Sequence, residues 1–219
     1  MAEKPVIAIL GGTGKEGPGL AMRWAYAGYK IIIGSRREEK AQATAAELNQ
    51  QLKIDTIEGK VNDEAARAAD ICVLTVVQSA HQAALEGLVD ALQGKILVDA
   101  TARVDFREPK PPTQPSAART AQNILGEGVR VVAAFQNVPA SVLKKNLDKT
   151  VRTDVLVCAD DVDAGEQVVA LAEAAGMRAF YAGDLDNAVT VEGITALLIS
   201  VNKHYGGHAT IQVVGINKE

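Results

Sequence analysis

The sequence predicts an α/β protein, a parallel sheet covered on both faces by helices, and three observations point that way. Short apolar runs alternate with Ala-rich helical stretches, the rhythm of βαβ units. Hydrophobic residues make up 47% of the 219 residues and aromatics only 4%. The core is therefore mostly Ala, Val, Ile and Leu, as suits a sheet buried on both faces. The first apolar run ends in a cluster of glycines that opens a helix.

Taken in order, Val6–Leu10 is a short apolar run ending at glycines, the form of a buried strand. Gly14–Ala27 reads as a helix that stops near Gly28. Ile31–Ile33 is a second strand, closed by Gly34. Glu38–Gln50 is a helix with Lys and Glu on its exposed side. Ile54–Glu58 reads as a third strand, Asp63–Ala69 as a short helix, and Ile71–Val77, the strongest β-branched run, as a fourth strand. Ile96–Ala100 and Val129–Ala134 are the fifth and sixth. Beyond them, Asp154–Cys158 and Arg178–Tyr181 read as strands around a helix at Ala164–Ala175. The long helix Asn187–Tyr205 has Val191, Ile194, Leu198, Val201 and Tyr205 on one face. Such a face packs inside the chain or forms a subunit interface. The expected division is residues 1–141 as a nucleotide-binding domain and 142–219 as a small C-terminal α/β domain.

One segment breaks the rhythm. Asp105–Ser116 holds four of the chain's seven prolines, Pro109, Pro111, Pro112 and Pro115, so it is neither helix nor central strand. It is a rigid surface loop or, since it follows a parallel strand, a border of the active site.

Composition also excludes. A net charge of −4 argues against general nucleic-acid binding. No run approaches the roughly 18 apolar residues of a membrane span, and the N-terminus has no secretory pattern. The two cysteines lie far apart, which gives no disulfide framework. A cytoplasmic enzyme is expected.

Gly12, Gly14 and Gly17 form G-x-G-x-x-G between a strand and a helix, the context that makes this pattern informative. The first glycine permits the tight turn, the second lets a pyrophosphate approach the backbone, and the third lets helix and strand pack closely. The helix start supplies free N–H groups and a positive dipole end. Together these predict a Rossmann-type doubly wound sheet. The second strand then selects the nucleotide. An NAD site has an acid at its end, but this chain has Ser35, Arg36 and Arg37, with Lys40 one turn after Arg36. A carboxylate would repel a 2′-phosphate, whereas guanidinium and hydroxyl groups bind it. NADP is therefore the expected cofactor.

Catalytic side chains are harder to find. His81, His204 and His208 are scattered without partner spacing. Cys72 and Cys158 fall in expected strands, as plain core thiols do. Neither set forms a zinc cluster. This suits hydride transfer between two cofactors, which needs positioned rings more than acid–base groups. No dedicated catalytic residue is expected.

The stretches ILGGTGKEGPGLAMRWAYAGY, IIIGSRREEKA, DICVLTVV, AFQNVPAS and LLISVNKHYGGHATI resemble those of NADPH:coenzyme F420 oxidoreductases over nearly the whole chain. The resemblance implies a homodimeric or larger enzyme that moves a hydride between nicotinamide C4 and C5 of the deazaflavin, in a cleft closed by the C-terminal domain. It implies that Thr13, Gly14, Lys15 and Glu16 line the pyrophosphate turn and that Ser35, Arg36 and Lys40 hold the 2′-phosphate. Val76, Ala80, Ala102 and Ala140 would border the nicotinamide, with Val138 and Pro139 as the floor. Thr210 would meet F420 through its backbone. Gln136 stands where some archaeal members carry His. Arg103, Lys144, Lys145 and Lys203 could meet the acidic F420 tail. Two alternatives are an imine or carbonyl reductase like the pyrroline-carboxylate reductases, and a non-catalytic NADP-sensing module.

Overall fold

A computed structural model describes residues 4–216; the outermost three residues of each expected domain lie outside it. The chain runs β1 (Ile7–Leu10), α1 (Gly17–Tyr26), β2 (Ile31–Ser35), α2 (Glu38–Leu52), β3 (Ile57–Val61), α3 (Asn62–Ala68) and β4 (Ile71–Leu74). It continues through α4 (Gln78–Glu86), α5 (Val89–Leu92), β5 (Ile96–Asp99), α6 (Ala117–Leu125), β6 (Arg130–Ala133) and α7 (Ala140–Leu143). The last part is β7 (Asp154–Ala159), α8 (Val162–Ala174), β8 (Arg178–Tyr181) and α9 (Ala188–Tyr205).

The strands form one sheet in the order β3-β2-β1-β4-β5-β6-β7-β8. Every pair is parallel except β6–β7. Winding reverses at β1, which lies between β2 and β4, and open α/β sheets place their ligand crevice outside such a switch point. Alternate residues of the central strands enter opposite layers. Ile7, Ile9, Ile33 and Val73 pack on one face, and Ala8, Leu10, Ile32 and Leu74 on the other. The apolar runs are continuous because both layers are dry.

Residues 142–219 supply β7 and β8, which continue the same sheet, and the division expected at residue 141 falls inside α7. Helix α1 ties this part down. The Trp24 indole donates to Leu171 O at 2.8 Å. The buried Arg23 guanidinium donates to Lys145 O at 2.8 Å and Ala175 O at 3.1 Å.

Several boundaries differ from expectation. The third strand is Ile57–Val61, displaced from Ile54–Glu58. Lys53 takes a left-handed turn (φ 56°), and the Asn49 amide then clamps both backbone groups of Ile57. The fourth strand ends at Leu74, so Thr75–Val77 lead out of the sheet. The first helix starts at Gly17, not Gly14, because Thr13–Glu16 form the turn. Helices α4 to α7 lie where the sequence suggested no element. Among the described residues, no helix is long and apolar enough to cross a membrane, and no cluster of His, Cys, Asp or Glu is arranged to hold a metal.

Candidate functional site

The turn after β1 is built from close backbone contacts. Gly11, just ahead of the motif, takes the left-handed conformation (φ 74°), so the tight turn begins one residue before Gly12. A Cβ on Gly11 would lie 2.6 Å from Val76 Cγ1, which puts the exit of β4 against the turn. Asn62 at the start of α3 fixes this conformation by accepting from Gly11 N at 3.2 Å. Gly12 N donates to Ile9 O and Gly34 O at 3.1 and 2.9 Å. A Cβ on Gly12 would stand 2.6 Å from Ile9 O, and one on Gly17 would stand 2.6 Å from Gly12 Cα. Neither position tolerates a side chain. Gly14 differs: an added Cβ would meet nothing nearer than 3.6 Å. The protein leaves that side of the turn open, where the backbone could be approached from outside. Thr13 is half-buried, and Lys15 and Gly14 are exposed. Glu16 is partly exposed as a residue, but its Oε1 is enclosed and has no partner. Burial pushes its carboxyl up to about 8.

At the end of β2 the Ser35 side chain is buried, and its Oγ accepts from Arg37 N at 3.2 Å. Arg36, Arg37 and Lys40 are exposed. Among the described residues none of the three is ion-paired. They stand beside the glycine turn because Gly34 O holds Gly12 N.

The far wall gathers residues from three strand ends. Val76 and Ala80 are half-buried at the exit of β4, and Ala102 is half-buried beyond β5. After β6 the chain turns sharply at Phe135, a non-glycine residue at φ 74°. The strain of that conformation is held by burial against Trp24, with ring centroids 5.8 Å apart. The turn delivers Val138, Pro139 and Ala140 to the start of α7, which packs on α1: a Cβ on Gly19 would meet Leu143 Cβ at 2.6 Å. Because β7 runs antiparallel, its first residues lie at this same end of the sheet. There the Thr210 hydroxyl donates to Arg152 O at 2.8 Å. The following tail is clasped by Asp154, whose carboxylate takes both Arg178 and Val213 N.

Beneath this wall lies a buried polar network that the sequence did not suggest. His81, read as partnerless, places Nε2 2.6 Å from Asp99 Oδ2. Asp99 Oδ1 accepts from Thr101 N, and the Asp99 carbonyl accepts from Gln136 Nε2. The Gln136 carbonyl accepts from the Thr195 hydroxyl. Gln136 Oε1 and Asn137 Oδ1 are buried without partners. Glu192 on α9, fully buried, accepts from Arg103 N at 3.0 Å and Ala117 N at 2.6 Å. One carboxylate thus pinches both ends of the proline-rich loop. Burial pushes the Glu192 carboxyl up, opposed by those two N–H groups and the Arg103 guanidinium. The only sequence signal for the His81–Asp99 pair was an acid closing a central strand.

Of the cations expected near an acidic tail, Arg103 is paired with Glu192 at 3.4 Å, and Lys203 donates to Arg107 O at 2.6 Å. Lys144 and Lys145 are exposed. Burial pushes both cysteine thiols up to about 12, which leaves them as core residues.

A doubly wound sheet with this glycine turn at its switch point defines the class, a Rossmann-type α/β protein. A family model described as NADP oxidoreductase coenzyme F420-dependent matches residues 6–103. The chain is 41% identical over 208 residues to an F420-dependent NADP reductase of Methanothermobacter marburgensis, covering 90% of this chain and 92% of the relative. It is 40% identical to another from Methanocaldococcus jannaschii, covering 93% and 95%. A hypothetical protein of Sinorhizobium meliloti has the same fold, with a TM-score of 0.69 at 23% identity, covering 86% and 88%. The chain belongs to the F420-dependent NADP reductase family.

Proposed function

We propose that this protein transfers a hydride reversibly between NADP(H) and the deazaflavin of coenzyme F420, as a cytoplasmic homodimer. The observation that carries the NADP half is the end of β2, where a hydroxyl and three unpaired cations replace the acid of an NAD site. The F420 half rests on family membership along nearly the whole chain.

In this reading Gly12, Thr13, Gly14, Lys15, Glu16 and Gly17 form the pyrophosphate turn. The open side of Gly14 admits the phosphates, which the turn's backbone and the positive dipole end of α1 then face; Pro18 has no N–H, and Gly19 N and Leu20 N already donate to Glu16 O. Ser35, Arg36, Arg37 and Lys40 hold the 2′-phosphate. Val76, Ala80, Ala102 and Ala140 border the nicotinamide, and Val138 and Pro139 floor the place where the rings stack. Thr210 and the clasped tail meet the deazaflavin. With both cofactors bound, the chemistry supplied would be hydride transfer from nicotinamide C4 to deazaflavin C5, with one proton from solvent completing the reduction. The protein's contribution is to hold two rings at reacting distance and exclude water between them.

The homodimer is supported by α9, which exposes Leu197, Val201 and Tyr205 at 61, 42 and 79%. Such a face is normally covered. A cytoplasmic setting agrees with two buried, unpaired thiols.

The test is spectrophotometric. Purified protein is mixed with oxidised F420 and either NADPH or NADH, and the deazaflavin's visible absorbance is followed. Rapid bleaching with NADPH and slow bleaching with NADH are expected. NADPH binding without bleaching would sink the F420 half and redirect the search to imine and carbonyl substrates.

A further inference from the structure

Glu16 is the one acid in the glycine turn, and the chemistry above gives its side chain nothing to do. Its carbonyl starts α1, accepting from Gly19 N at 3.0 Å and Leu20 N at 3.2 Å. A residue in this position commonly turns a side-chain oxygen onto the free N–H groups of the first helical turn. Glu16 does not. Its carboxyl caps nothing, and Oε1 is enclosed without a partner.

Among the described residues, no neighbouring charge compensates it. Lys15 is exposed, and Arg23, two turns along α1, donates to backbone carbonyls beyond α7 and α8. Lys144 and Lys145, after α7, are exposed. The exit of β4 that touches the turn carries no charged residue from Thr75 to Ala80, and His81 beyond it is held by Asp99. Asn62, from α3, is a neutral amide on Gly11 N. Burial alone pushes the Glu16 carboxyl up to about 8.

A carboxyl in a phosphate-binding turn has two states with opposite consequences. Ionised, it repels an anion held by the same turn. Neutral, it carries an O–H, and a hydrogen bond from O–H to an anionic oxygen is among the stronger kinds. We propose that Glu16 is a proton-carrying cofactor ligand, a neutral carboxyl that donates to an anionic oxygen of the bound dinucleotide, so that binding takes up a proton. This rests on the NADP reading of the turn. It adds that affinity for the dinucleotide is set by pH through one residue.

The test is direct binding, without turnover. NADPH is titrated by its fluorescence into wild type, Glu16→Gln and Glu16→Leu from about pH 7 to about 9.5, above the ionisation of the 2′-phosphate itself. Wild-type Kd should rise with pH, the slope approaching about tenfold per unit once Glu16 ionises in the free protein. Glu16→Gln keeps a neutral donor that does not titrate, so its Kd should stay flat across the range. Glu16→Leu should also be flat but several-fold weaker near pH 7. Parallel profiles in wild type and Glu16→Gln, or a flat wild type, would overturn the proposal. Should the variants not fold, wild type alone decides: binding heats in two buffers of different ionisation enthalpy give proton uptake, expected above pH 8 and absent if the proposal is wrong. Failure of wild type to bind NADPH at any pH would remove the dinucleotide reading and this proposal with it. Binding without proton uptake would remove the proposal alone.

Discussion

Around the glycine turn the outward groups are backbone and exposed cations, whereas the segments beyond β4 stand on buried side chains tied to one another. Ser35, Arg36, Arg37 and Lys40 follow each other within six residues, and Gly12 to Gly17 do the same. The far wall instead depends on His81 with Asp99, Gln136 with Thr195, and Glu192 with Arg103 and Ala117. A wall built locally tolerates the loss of a side chain and keeps its fold. One built from shared buried partners should lose stability first and binding as a consequence. The two regions therefore predict different phenotypes for comparable substitutions.

The largest effect is expected at Glu192. Glu192→Ala strands the Arg103 and Ala117 N–H groups, leaves the Arg103 guanidinium only the Thr113 carbonyl, and removes the clamp that joins both ends of the proline-rich loop. Removing one member of a buried charged set costs about 3–5 kcal/mol. Urea unfolding should show that loss, and the proline-rich loop should become a protease site. A loss under about 1 kcal/mol, the scale of a surface pair, would mean that the loop is held by something else. At Arg36 the phenotype should invert. Arg36→Ala should leave unfolding unchanged and weaken NADPH binding about ten- to a hundredfold, the scale of one charged hydrogen bond, with NADH little affected. Equal losses for both nucleotides would remove the 2′-phosphate role.

The same contrast explains what the sequence disclosed. The central sheet and glycine turn were legible because each element carries its signal within a few residues: an apolar run, a G-x-G-x-x-G, a missing acid. The family was legible because GSRREEKA and the terminal segment are specific strings. The far wall was not. His81 and Asp99 are 18 residues apart, and Arg103 and Glu192 are 89 apart, so only the folded sheet brings them together. His81 therefore read as a lone histidine and Glu192 as one more charge on a helix. Short helices such as α4, the first turn of which carries His81, lack the long apolar period that marks α9. The third strand is shifted three residues along from the apolar run because the signal that sets it is the Asn49 side chain.

Glu16 lies where the two kinds of wall meet, local in sequence yet with one carboxyl oxygen enclosed. Its carboxyl is raised to about 8, above the unfolded value, so the folded state holds its proton more tightly. Stability from this group is present at low pH and is lost as pH rises from the unfolded value through about 8. Glu16→Gln removes that dependence. Near pH 7 without cofactor the variant should be more stable than wild type by about 1–3 kcal/mol, and near pH 4 the two should agree. Thermal unfolding across that range decides it. A gap that does not change with pH would show a packing effect rather than a proton.

The smallest effect expected is at Lys144 and Lys145, and it bears on whether the far wall recognises its ligand by charge at all. Both are exposed beside α7, and among the described residues neither side chain has a hydrogen-bond or ion-pair partner. A mobile surface cation attracts an anionic tail through water, where the interaction is weak and salt screens it within about 10 Å. Replacing both by Ala should raise KM for F420 by less than about threefold at low salt, and the difference should vanish at high salt. The buried donors and acceptors, Gln136 Oε1 among them, are not screened in this way and do not depend on ionic strength. If the double variant instead loses F420 binding outright, the far wall works as the near wall does, by exposed cations, and the contrast between them fails.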